Sequence, residues 1–213
     1  MHTAHRPSHL RAKRVVDVVL ALVLIVLTAP LMVTVAVLVA VRLGRPVIFR
    51  QCRPGRGGRP FEVLKFRSML EPDPACGLVS DADRLTGFGI ALRSTSLDEL
   101  PSLVNILRGE MSFVGPRPLM SDQIAATPDE ERRRHAVRPG LTGLAQVSGR
   151  NNLSKRERLR LDLEYVERRS ALLDVQILFR TLVVVLRRDG VTAPGYVSGI
   201  EQRVSTDRIP TAA

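Results

Sequence analysis

The sequence of 213 residues contains no tryptophan, only two tyrosines and only two cysteines. The cysteines, Cys52 and Cys76, are too far apart in the chain to form a CxxC pair. This spacing excludes a zinc ribbon, a thioredoxin-like redox motif and a disulfide scaffold. Hydrophobic residues make up 45% of the chain, which excludes wholesale disorder. The length predicts one domain with at most a small appendage.

Acidic residues are also fewer than basic ones. The chain has 21 acidic and 32 basic residues, which gives a formal net charge of +11. Nearly all the basic residues are arginines, since the only lysines are Lys13, Lys65 and Lys155. An arginine-rich surface favours phosphate groups, whether these belong to nucleic acid, anionic lipid or nucleotide. Composition alone leaves these three classes of partner open.

One long apolar run covers residues 15–41. At about 1.5 Å of rise per residue, it is long enough to cross a bilayer core of about 30 Å. It is much too long for the apolar region of a secretory signal peptide, which spans roughly 7–15 residues. A single transmembrane anchor is the simplest alternative.

The residues around this run favour a different path through the membrane. Basic residues flank the run on both sides, and no acidic residue lies between positions 42 and 59. Basic flanking residues prefer the cytoplasmic side of a membrane. A single crossing would place one of the two flanks on the opposite side. Pro30 lies near the middle and disfavours helical geometry at Ala29. We therefore predict a re-entrant helix–break–helix hairpin over residues 11–42, with Asp17 paired to the basic residues just before it.

The rest of the chain predicts an α+β fold that is mostly helical. Alternation and turn residues indicate a β-hairpin with strands at 46–52 and 61–69, followed at 71–92 by a loop with at most one short helix. Thr127 and Ser154 are typical N-caps and predict two further helices. Residues 174–188 form a second apolar stretch, too short to span, which fits an in-plane interfacial helix. A buried core helix is the alternative.

The densest group of chemically useful residues lies between positions 93 and 118. Ser96 and Glu99 match a capping box, which places Asp98 and Glu99 at a helix N-terminus. Acidic residues are common there for stability alone. The cations nearby, however, favour a site for a phosphate-rich substrate, and they are Lys65, Arg67, Arg93 and Arg117. Adjacent helical residues point about 100° apart, so one carboxylate is free to meet the substrate while the other holds a metal ion.

Six segments, in this order, resemble the small monotopic phosphoglycosyl transferases, also called bacterial sugar transferases. The matching segments are Lys13-Arg14-Val-Val-Asp17, Leu64-Lys65-Phe66-Arg67-Ser68-Met69, Thr95-Ser96-Leu97-Asp98-Glu99-Leu100-Pro101, Met111-Ser-Phe-Val-Gly-Pro-Arg-Pro118, Arg138-Pro-Gly-Leu-Thr-Gly-Leu-Ala-Gln-Val-Ser-Gly-Arg-Asn151, and Asp162-Leu-Glu-Tyr165 with Asp174-Val-Gln-Ile-Leu178. The chain departs from the family's usual pattern at Leu144 and Arg168-Arg169, where tryptophan is common.

The resemblance implies transfer of a sugar-1-phosphate from a UDP-sugar to undecaprenyl phosphate, with release of UMP. The resemblance implies that this transfer is the first membrane step of exopolysaccharide, capsule, O-antigen or glycoprotein glycan synthesis. It implies a monotopic protein of the bacterial inner membrane, with the active site on the cytoplasmic face against anionic lipid. The resemblance leaves open whether the chain forms a homodimer.

The same resemblance implies roles for individual residues. Asp98 is the expected nucleophile, and Glu99 is expected to hold Mg2+. Phosphate oxygens are expected at Lys65, Arg67 and Arg93. The Pro116-Arg117-Pro118 turn is expected at the uridine end of the donor, and Arg150 on the sugar side.

Two other classes explain less of the sequence. A nucleic-acid-binding protein accounts for the charge but not for the apolar run, and aromatic residues make up only 4% of the chain. We therefore expect no nucleic-acid partner. A membrane-anchored, non-catalytic assembly protein of a polysaccharide pathway accounts for the run but not for the ordered segments. The expected domain plan is a tail at 1–10, the hairpin at 11–42, a catalytic domain at 43–190 and a loose tail at 191–213.

Overall fold

The computed structural model describes residues 7–119, 127–149 and 153–187. Within these residues the fold is mostly helical, with two small two-stranded sheets. In chain order the helices and strands are α1 (Pro7–Leu43), β1 (Ile48–Pro54), β2 (Pro60–Phe66), α2 (Asp81–Arg84), α3 (Gly87–Ser94), α4 (Ser102–Arg108), β3 (Ser112–Val114), α5 (Pro128–Arg134), β4 (Gly140–Thr142), α6 (Leu144–Ser148), α7 (Lys155–Arg168) and α8 (Ala171–Arg187).

Helix α1 contains the long apolar run and continues through Pro30 as one helix. Two separate helices joined at a break are therefore not confirmed. Thr28 donates its hydroxyl to the Leu24 carbonyl, one turn earlier in the helix. Pro30 has no N–H, so the Val26 carbonyl loses its usual helical donor. The Thr28 hydroxyl does not replace that donor, because it is bonded to Leu24. Among the described helices, α1 is the one long and apolar enough to cross a membrane.

Both ends of α1 pack against the same globular part of the chain. Near the N-terminal end, Ala21 joins a core cluster that includes Ile106 of α4 and Ile177 of α8. Near the C-terminal end, Val39 packs in a second cluster around Phe66. Between the two clusters most side chains are exposed, including Val26 and Leu27. The apolar run is thus attached at two separate places along its length.

Polar contacts fix the N-terminal end of α1, and they correct the expected role of Asp17. Asp17 is buried and accepts a hydrogen bond from the backbone N–H of Phe113 at 3.2 Å. Lys13 instead pairs with Asp174 of α8 at 2.7 Å. Arg14 donates to the carbonyls of Ile106 and Leu107 at the C-terminal end of α4. The expected local ion pair is absent because each partner is used by a distant element.

The predicted β-hairpin is confirmed, with β1 and β2 antiparallel and Ile48 opposite Phe66. Helix α4 covers the outer edge of β2 with side chains instead of a third strand. The Leu64 N–H donates to the Asn105 side chain, and the Leu64 carbonyl accepts from the Ser102 hydroxyl. These contacts satisfy buried backbone groups that would otherwise be costly. They also hold α4, and the turn that precedes it, against β2.

The capping predictions differ in outcome. Thr127 and Ser154 each form the full capping box, so α5 and α7 begin where the sequence predicts. Ser96 does not, because its backbone is left-handed at φ 57° and its side chain caps nothing. The segment 71–92, expected as a loop with at most one short helix, contains the short helix α2 and most of α3.

Helix α8 begins at Ala171 and presents an exposed apolar stripe. The stripe follows helical spacing on one face, and its members are Leu172, Val175, Phe179 and Leu182. The opposite side buries Ile177 in the first core cluster. One side of this helix is therefore core, and the other is an exposed apolar surface, so the in-plane interfacial position stays a prediction.

Candidate active site

The acidic pair Asp98–Glu99 lies in a short 3-10 turn, Leu97–Glu99, between α3 and α4. The expected position at an α-helix N-terminus is wrong. Thr95 closes α3, and Ser96 then turns the chain with a positive φ before α4 begins at Ser102. Asp98 is only 8% exposed, whereas Glu99 is partly accessible.

Two cations from separate elements converge on Glu99. Lys65 of β2 contacts Oε1 at 2.6 Å, and Arg117, which follows β3, contacts the same oxygen at 3.2 Å. The three residues are distant in sequence, so the hairpin and the β3 region must both be in place to form this cluster. We call Asp98, Glu99, Lys65, Arg93 and Arg117 the dyad cluster.

Arg93 reaches the same region from the last turn of α3. Its Nε donates to the Ser68 hydroxyl at 2.8 Å, which fixes the base of the guanidinium. Gly89 permits this arrangement because a Cβ at that position would lie 1.9 Å from the Ser68 carbonyl oxygen. Helix α3 therefore approaches the end of the hairpin only because residue 89 lacks a side chain.

The two carboxylates of the dyad cluster differ in their electrostatics. Burial and, to a smaller extent, the Glu99 charge raise the pKa of Asp98, and they outweigh the opposing effect of the three cations to give a pKa of about 6. Burial also disfavours the charged form of Glu99, but Lys65 and Arg117 outweigh it and lower the pKa to about 2. Near pH 7 both groups are ionised, and Asp98 is the more basic of the two.

The Gly115–Pro118 turn is held by close backbone contacts to the segment around β4. Gly115 donates to the Thr142 carbonyl, and Gly140 donates to the Pro116 carbonyl, each at 2.9 Å. A Cβ on Gly140 would lie 2.1 Å from the Gly115 nitrogen, so neither chain could come this close with a larger residue. Parallel pairing of β3 with β4 is the result. It places Pro116, Arg117 and Pro118 beside the dyad cluster through the Arg117–Glu99 contact.

Two predicted site residues are not part of the cluster that the structure describes. Arg67 is 4% exposed, and its guanidinium is committed to the carbonyls of Leu43 and Arg45 and to the Glu71 carboxylate. The structure therefore gives Arg67 the role of fixing the link from α1 to β1, which corrects the expectation that it meets phosphate. Arg150 lies outside the described residues.

The sequence did not reveal the buried residues that contact and support members of the dyad cluster. Arg134, at the end of α5, is buried, pairs with Asp162 at 2.8 Å and donates to the Arg117 carbonyl. Ser68 was also missed. Arg134 stands in a run of three arginines on a charged helix, so only the depth of its burial distinguishes it from its neighbours.

A metal ion at this site would need donors beyond the protein. Among the described residues, no three His, Cys, Asp or Glu side chains cluster closely enough to enclose one. Mg2+ commonly takes one or two carboxylates together with substrate phosphates. The dyad fits that arrangement and does not fit a cage made of protein ligands alone. Two surface grooves beside α5 are lined by other residues and do not include the dyad.

Sequence comparison matches residues 8–188 to the family described as Bacterial sugar transferase. An uncharacterized sugar transferase, EpsL, of Bacillus subtilis is 41% identical over 87% of this chain and 93% of its own length. The UDP-glucose:undecaprenyl-phosphate glucose-1-phosphate transferase of Caulobacter vibrioides is 42% identical over 83% of this chain and 70% of its own length.

A third relative is larger than this chain. The undecaprenyl-phosphate galactose phosphotransferase of Salmonella typhimurium is 40% identical over 84% of this chain but only 41% of its own length. The shared region therefore corresponds to one part of that protein. The family match covers most of the chain and agrees with all three relatives. The chain belongs to the bacterial sugar transferase family and is a phosphoglycosyl transferase.

Proposed function

We propose that the chain transfers a sugar-1-phosphate from a UDP-sugar to undecaprenyl phosphate and releases UMP, through a covalent intermediate on Asp98. The observation that carries this proposal is the dyad cluster itself. It combines a buried, ionisable carboxylate with three cations, Lys65, Arg93 and Arg117, in a protein with a long apolar helix. Two of the relatives carry names that describe this type of transfer.

The first step forms a bond between Asp98 and phosphorus. An ionised Asp98 oxygen attacks the phosphorus that carries the sugar, and the bond to the bridging oxygen of the diphosphate breaks. UMP leaves with that oxygen, and an acyl phosphate to the sugar remains on Asp98. A carboxylate with a pKa of about 6 suits this role, because it is ionised near neutral pH and more basic than an ordinary aspartate.

The second step restores the enzyme. A phosphate oxygen of undecaprenyl phosphate attacks the same phosphorus, and the bond to Asp98 breaks to give back the carboxylate. The product is a lipid-linked sugar diphosphate. In both steps, Lys65, Arg93 and Arg117 would balance the charge that shifts among the phosphate oxygens.

We also propose that Glu99 contributes one ligand to Mg2+, with the donor diphosphate supplying others. When bound, Mg2+ would neutralise the diphosphate and favour departure of UMP. Glu99 is the better ligand of the two carboxylates, because its low pKa keeps it ionised over a wide pH range. In the protein alone, its contacts with Lys65 and Arg117 keep its carboxylate paired.

The membrane arrangement that fits this chemistry is re-entrant, entering and leaving by the cytoplasmic face. Both ends of α1 contact the same globular part, while Val26 in the middle is 71% exposed. The apolar stripe of α8 begins beside the N-terminal end of α1, where Lys13 pairs with Asp174. These surfaces would hold the dyad cluster at the depth of the acceptor's phosphate.

The test is UMP release by detergent-purified protein, with Mg2+, undecaprenyl phosphate and a panel of UDP-sugars. We expect release with one or two sugars and its loss in Asp98→Asn. Asp129→Asn, at an exposed aspartate of α5, is the matched control and should behave as wild type. An Asp98→Asn variant as active as wild type would overturn the mechanism. If the folded wild-type protein releases no UMP with any UDP-sugar of the panel, a non-catalytic assembly role would be favoured.

Covalent chemistry has its own measurement. Incubation with the accepted UDP-sugar, without acceptor lipid, should release UMP once per enzyme and add the mass of the phosphosugar to the peptide that contains Asp98. Hydroxylamine should remove this mass, because it cleaves acyl phosphates. A single burst of UMP without any protein adduct would contradict the covalent route while leaving the overall transfer intact.

A further inference from the structure

Arg134 is one of the most deeply buried side chains of the protein, with 2% of its surface exposed. Its partner Asp162, in the middle of α7, is 1% exposed. The two side chains contact each other at 2.8 Å between Nε and Oδ2. Burying such a pair costs desolvation that the attraction often fails to repay, and apolar residues of similar volume commonly do as well. Stability alone is therefore a weak reason for this pair.

The guanidinium has a second contact that an apolar residue cannot make. Its Nη2 donates to the backbone carbonyl of Arg117. Arg117 lies between two prolines, which have no N–H to anchor the turn. Backbone hydrogen bonds with the β4 segment hold Gly115 and Pro116, and beyond the turn Leu119 packs against Leu159 of α7. Arg134 thus fixes the peptide from which the Arg117 side chain extends toward Glu99.

We propose that Arg134, oriented by Asp162, is a positioning residue that sets Arg117 against the dyad cluster for donor binding. The inference rests on the proposed function, because it assigns Arg117 to the UDP-sugar. Asp162 would align the guanidinium, and the guanidinium would fix the Arg117 carbonyl. The pair would therefore act on catalysis through Arg117 alone, without touching the substrate.

The test uses Arg134→Lys, which keeps the charge beside Asp162 but loses the planar fork that serves two partners. We expect kcat/KM for the UDP-sugar to fall about tenfold, mainly through KM, as for the loss of one hydrogen bond to a charged group. KM for undecaprenyl phosphate should not change. Arg133→Lys, at the adjacent and exposed arginine, is the matched control and should behave as wild type.

A double-mutant cycle separates positioning from general support. If Arg134 acts through Arg117, adding Arg134→Lys to Arg117→Ala should cause no further loss. Equal losses from Arg134→Lys in both backgrounds would overturn the proposal. An Arg117→Ala variant with wild-type kinetics would instead contradict the role of Arg117 in donor binding. A loss from Arg134→Lys in that case would overturn the positioning role as well.

A second variant distinguishes a loss of positioning from a loss of folding. Arg134→Met combined with Asp162→Leu removes both charges, and such exchanges commonly leave stability unchanged or improved. We expect this protein to keep its Tm and to show the same loss as Arg134→Lys. Wild-type kcat/KM in the folded double variant would overturn the proposal. Unfolding of both Arg134 variants would assign the pair to stability and would overturn it too.

Discussion

The dyad cluster and the outer surfaces of α1 and α8 depart from ordinary burial in opposite directions. At the dyad cluster, the acidic pair is largely withdrawn from water, and Asp98 is almost fully buried. On α1 and α8, large apolar side chains face outward, and Phe179 is 68% exposed. Soluble proteins rarely bury charges without partners or expose long apolar stripes. The difference fits the two tasks that we propose, phosphate chemistry at one surface and contact with lipid at the other.

If the two regions have separate tasks, their variants should fail in separate assays. Changes in the dyad cluster should strongly lower or abolish transfer and leave membrane attachment intact. Changes on the apolar surfaces should reduce attachment and use of the lipid acceptor, while single-turnover UMP release persists. A variant that fails in both assays without unfolding would show that the regions are coupled.

The largest effect after Asp98→Asn is expected for Glu99→Gln. It removes the charge that pairs with Lys65 and Arg117, and with it the proposed Mg2+ ligand. We expect kcat to fall about a hundredfold, the usual scale for losing one preorganised electrostatic group. Steady-state UMP release, measured across a Mg2+ titration, should need more metal than wild type.

The matched control for that experiment is Glu62→Gln, because the Glu62 carboxylate pairs with Arg50 at the surface of the hairpin. It should keep wild-type kcat and the same Mg2+ dependence. Unchanged activity in Glu99→Gln would remove Glu99 from the mechanism. Loss of membrane attachment in the same variant would break the separation between the two regions.

On the lipid side, Phe179→Asp is expected to weaken attachment. A charge in the middle of the exposed stripe of α8 opposes insertion among the acyl chains. We expect several-fold more protein to be released from membranes by an alkaline carbonate wash, and a similar loss of turnover with undecaprenyl phosphate in vesicles. Val79→Asp, at an exposed valine in the loop before α2, is the control and should change neither. Unchanged attachment would mean that α8 does not face lipid.

Local patterns predicted the elements of this fold better than the contacts between them. The hairpin and the caps at Thr127 and Ser154 depend on neighbours in sequence, and all were confirmed. Ser96 shows the limit of such patterns, because Thr95 already closes α3 and the chain must turn sharply at the next residue.

The errors at Asp17 and Arg67 have a different cause. Each was assigned from nearby charges, yet each serves backbone groups of another element, such as the Phe113 N–H and the Leu43 carbonyl. Backbone donors and acceptors leave no pattern in a sequence, so these partners could not be found there. For the same reason, the support that Arg134 gives to Arg117 was not visible.

A change of pH tests the dyad cluster without any substitution. The pKa of Asp98 is raised to about 6, so the nucleophilic form is lost as the pH falls through that value. Single-turnover UMP release without acceptor should therefore fall roughly tenfold between pH 7 and pH 5. Omitting the acceptor matters, because a phosphate monoester such as undecaprenyl phosphate also titrates near pH 6.

The Glu99 charge supplies the control for this profile, since it raises the pKa of Asp98. In Glu99→Gln the midpoint should move to lower pH, because the raising charge is gone and the cations remain. A midpoint that stays the same in this variant would show that another group controls the profile. A flat wild-type profile from pH 5 to pH 7 would contradict an ionised Asp98 nucleophile.

The smallest expected effect concerns Pro30, at the centre of the exposed part of α1. Cysteines introduced as Arg11→Cys or Arg45→Cys, in a chain with Cys52 and Cys76 replaced by serine, report which side of the membrane each end of α1 occupies. In the re-entrant arrangement both introduced cysteines are labelled from the cytoplasm.

Pro30→Ala restores a backbone donor and removes the steric conflict that favours a bend. A minor fraction of Arg11→Cys should then become accessible from the periplasm, whereas Val33→Ala should change nothing. Labels on opposite faces in the chain that retains Pro30 would refute the re-entrant arrangement, because one end of α1 would then lie across the bilayer from the globular part that both ends contact.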